Sequence, residues 1–194
     1  MLFRSVLRAC VLIPWAIPAA VSGRVFELVY NYSYGAANRL LQLFSISNEP
    51  VNWLGTDIGA FMAVVAADAW KTTPFAAIIL LAGLSAISRD LYSQAKIDRA
   101  GLLKRFFKIT LPLLKPVLVV TLLFRTIQAL RIFDIIYVLT GGGPGGATES
   151  LSIFAYKYFT AGDFGYGSAA SVILFILALL LSISYMKASR LGED

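Results

Sequence analysis

One segment constrains the fold more than any other: residues 169–186 contain no charged side chain. As an α-helix this segment would extend about 27 Å, close to the hydrocarbon core of a bilayer, which is about 30 Å thick. A helix on the surface of a soluble protein is apolar along one stripe only, whereas this segment is apolar on nearly every side. It therefore predicts a helix that spans a membrane.

The composition extends this interpretation to the whole chain. Hydrophobic residues make up 58% of the 194 residues and charged residues 14%, against about 45–50% and about 25% in soluble domains. Three more apolar stretches reach or exceed the ~20 residues that a span needs. The predicted fold class is an all-α polytopic membrane protein with about four transmembrane helices. Residues 1–194 are predicted to form a single domain with spans at about 9–30, 58–87, 117–139 and 169–186.

The first apolar stretch has a second interpretation. Arg4 and Arg8 precede it, as basic residues precede the apolar region of a secretory signal peptide. Pro14, Pro18 and the continuation of the apolar run to Tyr30 favour a kinked membrane span instead.

The positions of the basic residues predict the topology, because cytoplasmic loops of membrane proteins are enriched in lysine and arginine. The net charge of +6 therefore indicates an orientation in the membrane rather than nucleic-acid binding, and both termini are predicted to be cytoplasmic. The basic residues on that side are Arg4, Arg8, Arg89, Lys96, Arg99, Lys104, Arg105, Lys108, Lys115, Lys187 and Arg190.

The sequence lacks the residues that several kinds of catalytic and metal site require. It contains no histidine and a single cysteine, Cys10, which excludes histidine-based triads, histidine metal sites, an internal disulfide and a cysteine zinc cluster. The sequence also has no Walker A phosphate loop. We predict no catalytic residue, no metal site and no cofactor, so that any ATP hydrolysis belongs to a partner chain.

The two predicted outer loops each have a pattern of their own. Residues 34–44 predict a short interfacial helix. The glycine-rich run at residues 141–146 predicts a flexible joint rather than a phosphate cradle, because no lysine–serine/threonine pair follows it. The apolar face of the interfacial helix comprises Ala37, Leu40, Leu41 and Phe44.

The basic stretch at residues 88–116 predicts two short helices at the inner membrane surface. Ser88 and Asp90 are favourable residues at a helix start, Gly101 offers a break and Pro112 closes the segment. From the residues alone two alternatives have equal weight: the apolar face of the loop docks on a protein, or the loop contacts anionic membrane lipid.

This loop resembles the cytoplasmic signature of ABC importer permeases, often called the EAA loop. The signature reads Glu-Ala-Ala, three residues, Gly, nine residues and Ile-x-Leu-Pro. Ala95, Ile109, Leu111 and Pro112 match it at the right spacing, and Asp98 matches the sugar-importer branch. Further matches to that branch are the stretches 12–18 (LIPWAIP), 70–75 (WKTTPF), 137–140 (YVLT) and 141–144 (GGGP).

The resemblance implies a permease subunit that forms part of the pathway for a sugar across the inner membrane of a prokaryote. The sugar would be an oligosaccharide or disaccharide, and glycerol phosphate importers are close relatives. The implied partners are a second homologous permease, a cytoplasmic ATPase dimer and an extracytoplasmic sugar-binding protein. The residues implied to contact the ATPase are Asp90, Ser93, Gln94, Ala95, Asp98, Arg99, Gly101 and Arg105.

The chain departs from the family pattern at three points. Ser93 and Gln94 replace the glutamate and the first alanine, and Arg99 replaces the glycine. A side chain at the glycine position costs about 1 kcal/mol if φ is positive there, and Gly101 offers a turn two residues later. The chain also begins at the residues that normally follow the family's early spans. We therefore expect an internal start or a truncated product, with a coupling loop that is weakened or differently built.

The third predicted span carries a polar stripe. Five polar side chains recur every three or four residues, which places them near one face of a helix. Charges in a span are costly and seldom face lipid, so the stripe predicts part of a substrate path, with Phe124, Phe133 and Tyr137 beside it. The stripe residues are Thr121, Arg125, Gln128, Arg131 and Asp134.

Other interpretations of these charges stay open. Arg131 and Asp134 would pair in a purely structural role, and charged side chains near the span ends would snorkel to the interface. Asp68 and Lys71 lie one helical turn apart in the second span, where they would pair with each other, contribute to the path or form a contact between helices. The rival to a transport role is an integral membrane enzyme, a structural subunit or a non-functional truncated permease.

Overall fold

The computed structural model describes residues 10–190, with side chains through Lys187. Arg4, Arg8 and Ala9, on which parts of the predicted topology and first span rest, lie outside the described residues, as does the side chain of Arg190. The helices in the described range are α1 (Cys10–Ala16), α2 (Ala19–Val29), α3 (Ala36–Leu43), α4 (Asp57–Ala86), α5 (Arg89–Ile97), α6 (Leu102–Arg105), a π-helical turn (Phe106–Thr110), α7 (Leu111–Leu130), α8 (Asp134–Leu139), α9 (Leu151–Thr160) and α10 (Phe164–Arg190).

The all-α polytopic fold class is confirmed. Three helical stretches are long and apolar enough to cross a membrane, at Asp57–Ala86, Leu102–Leu130 and Phe164–Lys187. The pair α1 and α2 adds a fourth if it counts as one broken span. Residues 10–190 contain helices, turns and bends, and no strand within that range.

The first apolar stretch is broken rather than kinked. α1 and α2 are bent by 103° across the gap between Ala16 and Ala19. Pro18 lies at the break, where it cannot donate a backbone hydrogen bond and where it begins α2 as its N-cap residue. The predicted single kinked span at 9–30 is therefore two short helices that meet at a steep angle.

The predicted span at 117–139 needs a correction at both ends. The helix begins earlier, at Leu102, and ends at Leu130. Residues 131–133 are not helical. The Ser150 hydroxyl donates to the Ile132 carbonyl at 2.8 Å, so a side chain supplies the hydrogen bond that the helix no longer gives this carbonyl. The apolar run continues in sequence because Ile135, Ile136 and Leu139 of α8 are buried in protein.

The described chain forms two compact units. The first runs to Pro74 and resumes over Leu130–Ile176, and the second comprises Phe75–Ala129 and the chain from Leu177 onward. The prediction of one domain over residues 1–194 stays a prediction. The core of the first unit combines small residues of α4 with larger side chains of α8 and α9 in one cluster: Ala63, Val64, Ala67, Ile135, Ile136, Leu139 and Ile153.

The glycine-rich run is a hydrogen-bonded loop, not the predicted flexible joint. The Thr148 hydroxyl, which is only 7% exposed, donates to the Gly143 carbonyl at 2.7 Å and lies 2.7 Å from the Thr140 hydroxyl. The Gly142 amide in turn donates to Thr140 Oγ1. Positive φ angles are accessible to glycine without a Cβ clash, and the loop uses them at Gly141, Gly142, Gly145 and Gly146.

Candidate functional site

The predicted ATPase-coupling residues lie on and after α5. Ser88 begins the helix as expected, with its Oγ accepting a hydrogen bond from the Asp90 amide at 3.2 Å, and Asp90 stands in the first turn. Ala95 is buried at 8% exposure, so it faces the protein. The side chains of α5 and its C-cap that are exposed include Ser93, Gln94, Lys96, Ile97 and Asp98.

Arg99 itself makes the turn that ends α5. Its φ is +52°, and its amide donates to the Lys96 carbonyl at 3.0 Å while the Ala100 amide donates to the Ala95 carbonyl at 2.9 Å. These two bonds form a Schellman motif, in which the left-handed residue is usually glycine. Gly101 has φ −64°, so the expectation that it supplies the turn is wrong.

Replacing Arg99 with glycine is expected to stabilise this turn by about 1 kcal/mol, because the left-handed region is unfavourable for a residue with a Cβ. Thermal unfolding in detergent measures the effect, which corresponds to roughly 2–4 °C for a chain of this size. Gly101→Ala is the matched control, because φ there is negative and an added Cβ meets nothing within 4 Å. A melting temperature for R99G equal to or below that of the parent would contradict this account of the turn.

The second predicted short helix is not separate from the membrane helix. α6 runs through the π-helical turn into α7, so the helix is continuous from Leu102 to Leu130. Pro112 does not close the segment, and Pro116 lies inside α7. In the π-helical turn the Leu111 amide donates to the Phe106 carbonyl five residues back, and such a widened turn directly precedes Pro112, which has no amide hydrogen to donate.

The stretch from α5 to the π-helical turn has an internal hydrogen bond and an exposed apolar surface. The Tyr92 and Thr110 hydroxyls lie 2.9 Å apart, which ties α5 to the π-helical turn. Within the part of the chain that the structure describes, Nε of Arg105 is buried without a hydrogen-bond partner. The exposed apolar side chains in the stretch are Leu91, Ile97, Leu102, Leu103, Phe106 and Phe107.

The first three residues of the predicted substrate path share α7, where a spacing of four and three residues places them near one face. Thr121 is only 5% exposed, and its hydroxyl donates to the Val117 carbonyl at 2.7 Å. Arg125 donates to Gln128 Oε1 at 3.4 Å. Gln128 is exposed and Arg125 half-buried, so of the three predicted path residues on α7 these two are the accessible ones.

Arg131 and Asp134 lie beyond the end of α7, so the helical spacing does not continue to them. Both are exposed, and among the described residues no ion pair joins them. Asp134 instead interacts electrostatically with Lys71 of α4, as Asp68 also does. The structural pairing of Arg131 with Asp134 is therefore not observed, because the helix ends between Arg125 and Asp134.

An aromatic cluster follows this helix break. The rings of Phe133 and Tyr137 stack with centroids 5.3 Å apart, and both rings meet Tyr156 of α9 edge-on at 5.1 and 5.3 Å. A hydrogen bond with Tyr137 raises the pKa of Tyr156, because it stabilises the protonated phenol. Phe133 and Tyr156 line an open groove of about 590 Å³ together with Ser152, Phe159 and Ser168.

Sequence patterns missed Tyr156 as a member of this cluster. Tyrosines near a predicted membrane boundary indicate an interfacial aromatic belt by default, and nothing in the spacing joins Tyr156 to Phe133 and Tyr137. The sequence contains a signal for the groove only in α9. There Tyr156 lies about one helical turn from Ser152 and from Phe159, and all three line the groove.

Residues 2–189 match the family of binding-protein-dependent transport system inner membrane components. The chain belongs to this family. The resemblance seen in the loop at residues 88–116 is thereby confirmed for nearly the whole chain.

Curated relatives narrow the branch of the family. The chain is 60% identical over 191 residues to the trehalose/maltose transport system permease protein MalF of Thermococcus litoralis, covering 98% of this chain and 64% of that protein. It is 43% identical to the sulfoquinovosyl glycerol transport system permease protein SmoG of Agrobacterium fabrum, covering 95% and 59%. It is 39% identical to the trehalose transport system permease protein SugA of Mycobacterium tuberculosis, covering 95% and 58%. The chain thus spans less than two thirds of the length of these relatives.

Solved structures support the fold. The chain superimposes with a TM-score of 0.85 on a chain of the crystal structure of a bacterial ABC transporter involved in the import of the acidic polysaccharide alginate. The two sequences are 22% identical, and the match covers 97% of this chain and 66% of the other. The likeness therefore supports a shared fold over nearly the whole chain.

Proposed function

We propose that the chain is a permease subunit of an ABC importer and forms part of the path of a sugar across the cytoplasmic membrane. The observation that carries this proposal is the family match over residues 2–189, together with relatives named for trehalose, maltose and sulfoquinovosyl glycerol. Each of these named compounds contains a sugar, which supports a disaccharide or another glycoside as the substrate class.

The proposed partners follow from the family. They are a second, homologous permease, a pair of cytoplasmic ATPases that hydrolyse ATP, and an extracytoplasmic binding protein that delivers the sugar. One structural relative was crystallised as a transporter in complex with a periplasmic protein that holds an alginate pentasaccharide. We propose that both termini of this chain are cytoplasmic and that α5 with the start of α6 contacts the ATPase.

We propose that the exposed polar groups of α7 and of the break after it form part of the sugar path. Guanidinium, amide and carboxylate groups match the donors and acceptors of sugar hydroxyls, and Arg125, Gln128, Arg131 and Asp134 supply them. Phe133 and Tyr156 line a groove within the first unit, and their aromatic rings suit the apolar faces of sugar rings.

Purification of the chain from its native membranes, with identification of the bound proteins, tests the transport role directly. We expect a second permease and an ATPase in the complex, and ATPase activity that increases when a sugar-loaded binding protein is added to the complex in liposomes. Recovery of the intact chain without an ATPase partner under several mild detergents would favour the rival interpretation, a membrane protein with no transport role.

Arg131→Ala and Asp134→Ala are expected to lower sugar uptake about tenfold each, because a lost hydrogen bond to a charged group costs roughly 1.5–3 kcal/mol and about 1.4 kcal/mol corresponds to a factor of ten. Uptake of radiolabelled trehalose or maltose in cells, corrected for the amount of inserted protein, measures the effect. Arg39→Ala on α3 is the control, since its exposed side chain lies outside the proposed path. Normal uptake by both variants would remove these residues from the path.

A further inference from the structure

The break between α1 and α2 places backbone carbonyls at the open end of a helix. The last carbonyls of any α-helix lack partners within the helix, and in a bilayer each unsatisfied backbone group costs several kcal/mol. The bend of 103° directs the chain away at this point, so the carbonyls cannot be satisfied by continuing the helix. A donor must reach them from elsewhere.

Lys71 of α4 provides that donor. Its ammonium donates to the Trp15 carbonyl at 3.2 Å and also to the Ile17 carbonyl. The side chain is half-buried and reaches across 54 positions of sequence to the second of these groups. A lysine that only snorkelled would direct its ammonium toward the membrane surface, whereas this ammonium ends on main-chain oxygens.

Two carboxylates attract the ammonium of Lys71. Asp68, one turn earlier on α4, and Asp134, at the start of α8, both interact electrostatically with the ammonium. A cation near the centre of a membrane helix costs about 2.5–3.5 kcal/mol, and nearby negative charges reduce that cost. Carbonyl oxygens and carboxylates around one positive charge are the surroundings of a bound cation at a broken transport helix.

We propose that Lys71 is a tethered cation that fixes the bend of the broken first span. Its ammonium lies on main-chain carbonyls, as a bound cation does at the broken helices of other transporters. Lys71 acts as a positioning residue, because it holds α1 against α4 through main-chain contacts. The role concerns the shape of the span and does not depend on the identity of the transported substrate.

The distance between α1 and α2 reports the bend. Cys10 is the sole cysteine and is exposed, and Leu28 is 58% exposed, so Cys10 and a cysteine introduced at position 28 can both carry spin labels. In a straight helix the two Cα atoms would lie about 27 Å apart, and with the observed bend about 17 Å, at about 1.5 Å rise per residue. Double electron–electron resonance separates these cases in the detergent-solubilised chain.

Lys71→Met is expected to lengthen or broaden the distance distribution, since methionine keeps the apolar stem but donates no hydrogen bond. Lys71→Ala should behave in the same way, and propylammonium, which replaces the missing atoms, should restore the short distance. The neutral analogue n-propanol should not restore it. Lys157→Met is the matched control, because Lys157 pairs with Glu149 at 3.1 Å, away from the break.

A parent-like distribution in both Lys71 variants would overturn the proposal, as would equal rescue by n-propanol. A distance in the parent chain that changes when sodium and potassium are replaced by N-methylglucamine would also overturn it, because a free ion would then hold the bend in place of the ammonium.

If the Lys71 variants fail to accumulate in cells, K71A is produced in the presence of propylammonium, which is then removed by dialysis. Retention of the short distance after dialysis contradicts the proposal, and its loss supports it. No step uses sugar or ATP, so failure of the proposed transport function leaves the test intact.

Discussion

Asn38→Ala is expected to open the loop between α2 and α4, with a loss of about 3 kcal/mol or more of local stability. The amide of Asn38 makes all four of its possible bonds: Nδ2 donates to the Tyr32 and Val51 carbonyls, both at 3.1 Å. Oδ1 accepts from the Val51 amide at 3.1 Å and from the Trp53 indole at 2.8 Å. Asn38 is only 5% exposed and its four bonds are partly buried, so its removal leaves four partly buried groups without this partner, at about 1 kcal/mol or more each.

Trp53 reports the opening. Its ring lies 5.8 Å from that of Tyr30, so detachment of the loop would move the indole toward solvent. With Trp15 and Trp70 replaced by phenylalanine, we expect Trp53 emission to shift to longer wavelength and acrylamide quenching to increase in the N38A variant. A loss of 3 kcal/mol corresponds to a factor of roughly 100 in the closed-to-open ratio.

Asn52→Ala is the matched control for this prediction. Asn52 belongs to the same loop but is exposed, and its Oδ1 accepts a hydrogen bond from the Gly55 amide at 3.0 Å. An exposed bond of this kind contributes about 0.5–1.5 kcal/mol, so emission and quenching should stay close to those of the parent. Equal quenching in the two variants would mean that Asn38 does not hold the loop.

The role of Asn38 was not accessible from periodicity. The pattern at residues 34–44 predicts a helix with an apolar face, and α3 is indeed there. However, Leu40 and Phe44 of that face are 54% and 73% exposed, and the buried position is Asn38. Its partners lie 13 and 15 residues further along the chain, and single-helix spacing carries no information about contacts at that separation.

Hydropathy located the long membrane helices but not the end of α7. A transmembrane helix is apolar because lipid surrounds it, and α8 is apolar because Ile135, Ile136 and Leu139 contact Ala63, Val64 and Ala67 in the core of the first unit. Both causes favour the same apolar residue types, so hydropathy does not distinguish them. The break at residues 131–133 depends on the Ser150 bond to Ile132, which only the folded chain brings together.

The pattern of residues 88–116 predicted the start of α5 more accurately than the turn that ends it. α5 begins after Ser88 as the helix-start residues predict. Because Arg99 stands where the family has glycine, we expected the turn to move to Gly101. Arg99 instead adopts the left-handed conformation itself. The left-handed conformation of Arg99 costs about 1 kcal/mol. The two Schellman hydrogen bonds offset this cost, so the turn forms without a glycine.

Ile97→Asp is expected to lower sugar uptake at least roughly tenfold and to weaken the association with the ATPase. Ile97 ends α5 and is 81% exposed, and Leu102 and Leu103 of α6 are exposed as well. If this apolar surface docks on the ATPase, the variant buries a carboxylate without a partner, which costs several kcal/mol. Each 1.4 kcal/mol of that cost corresponds to about a tenfold loss of affinity.

Ile46→Asp is the matched control, because it makes the same change at an isoleucine that is 71% exposed in the loop after α3. We expect I46D to keep its ATPase partner through purification and I97D to lose it. With Cys10 replaced by serine, a cysteine at position 97 should crosslink to the ATPase, whereas a cysteine at buried Ala95 should not. If I97D retains the ATPase as well as I46D does, and cysteine 97 gives no crosslink in the assembled complex, then α5 does not couple the permease to the ATPase. Its exposed apolar residues would then contact membrane lipid, the alternative that the sequence alone left equally open.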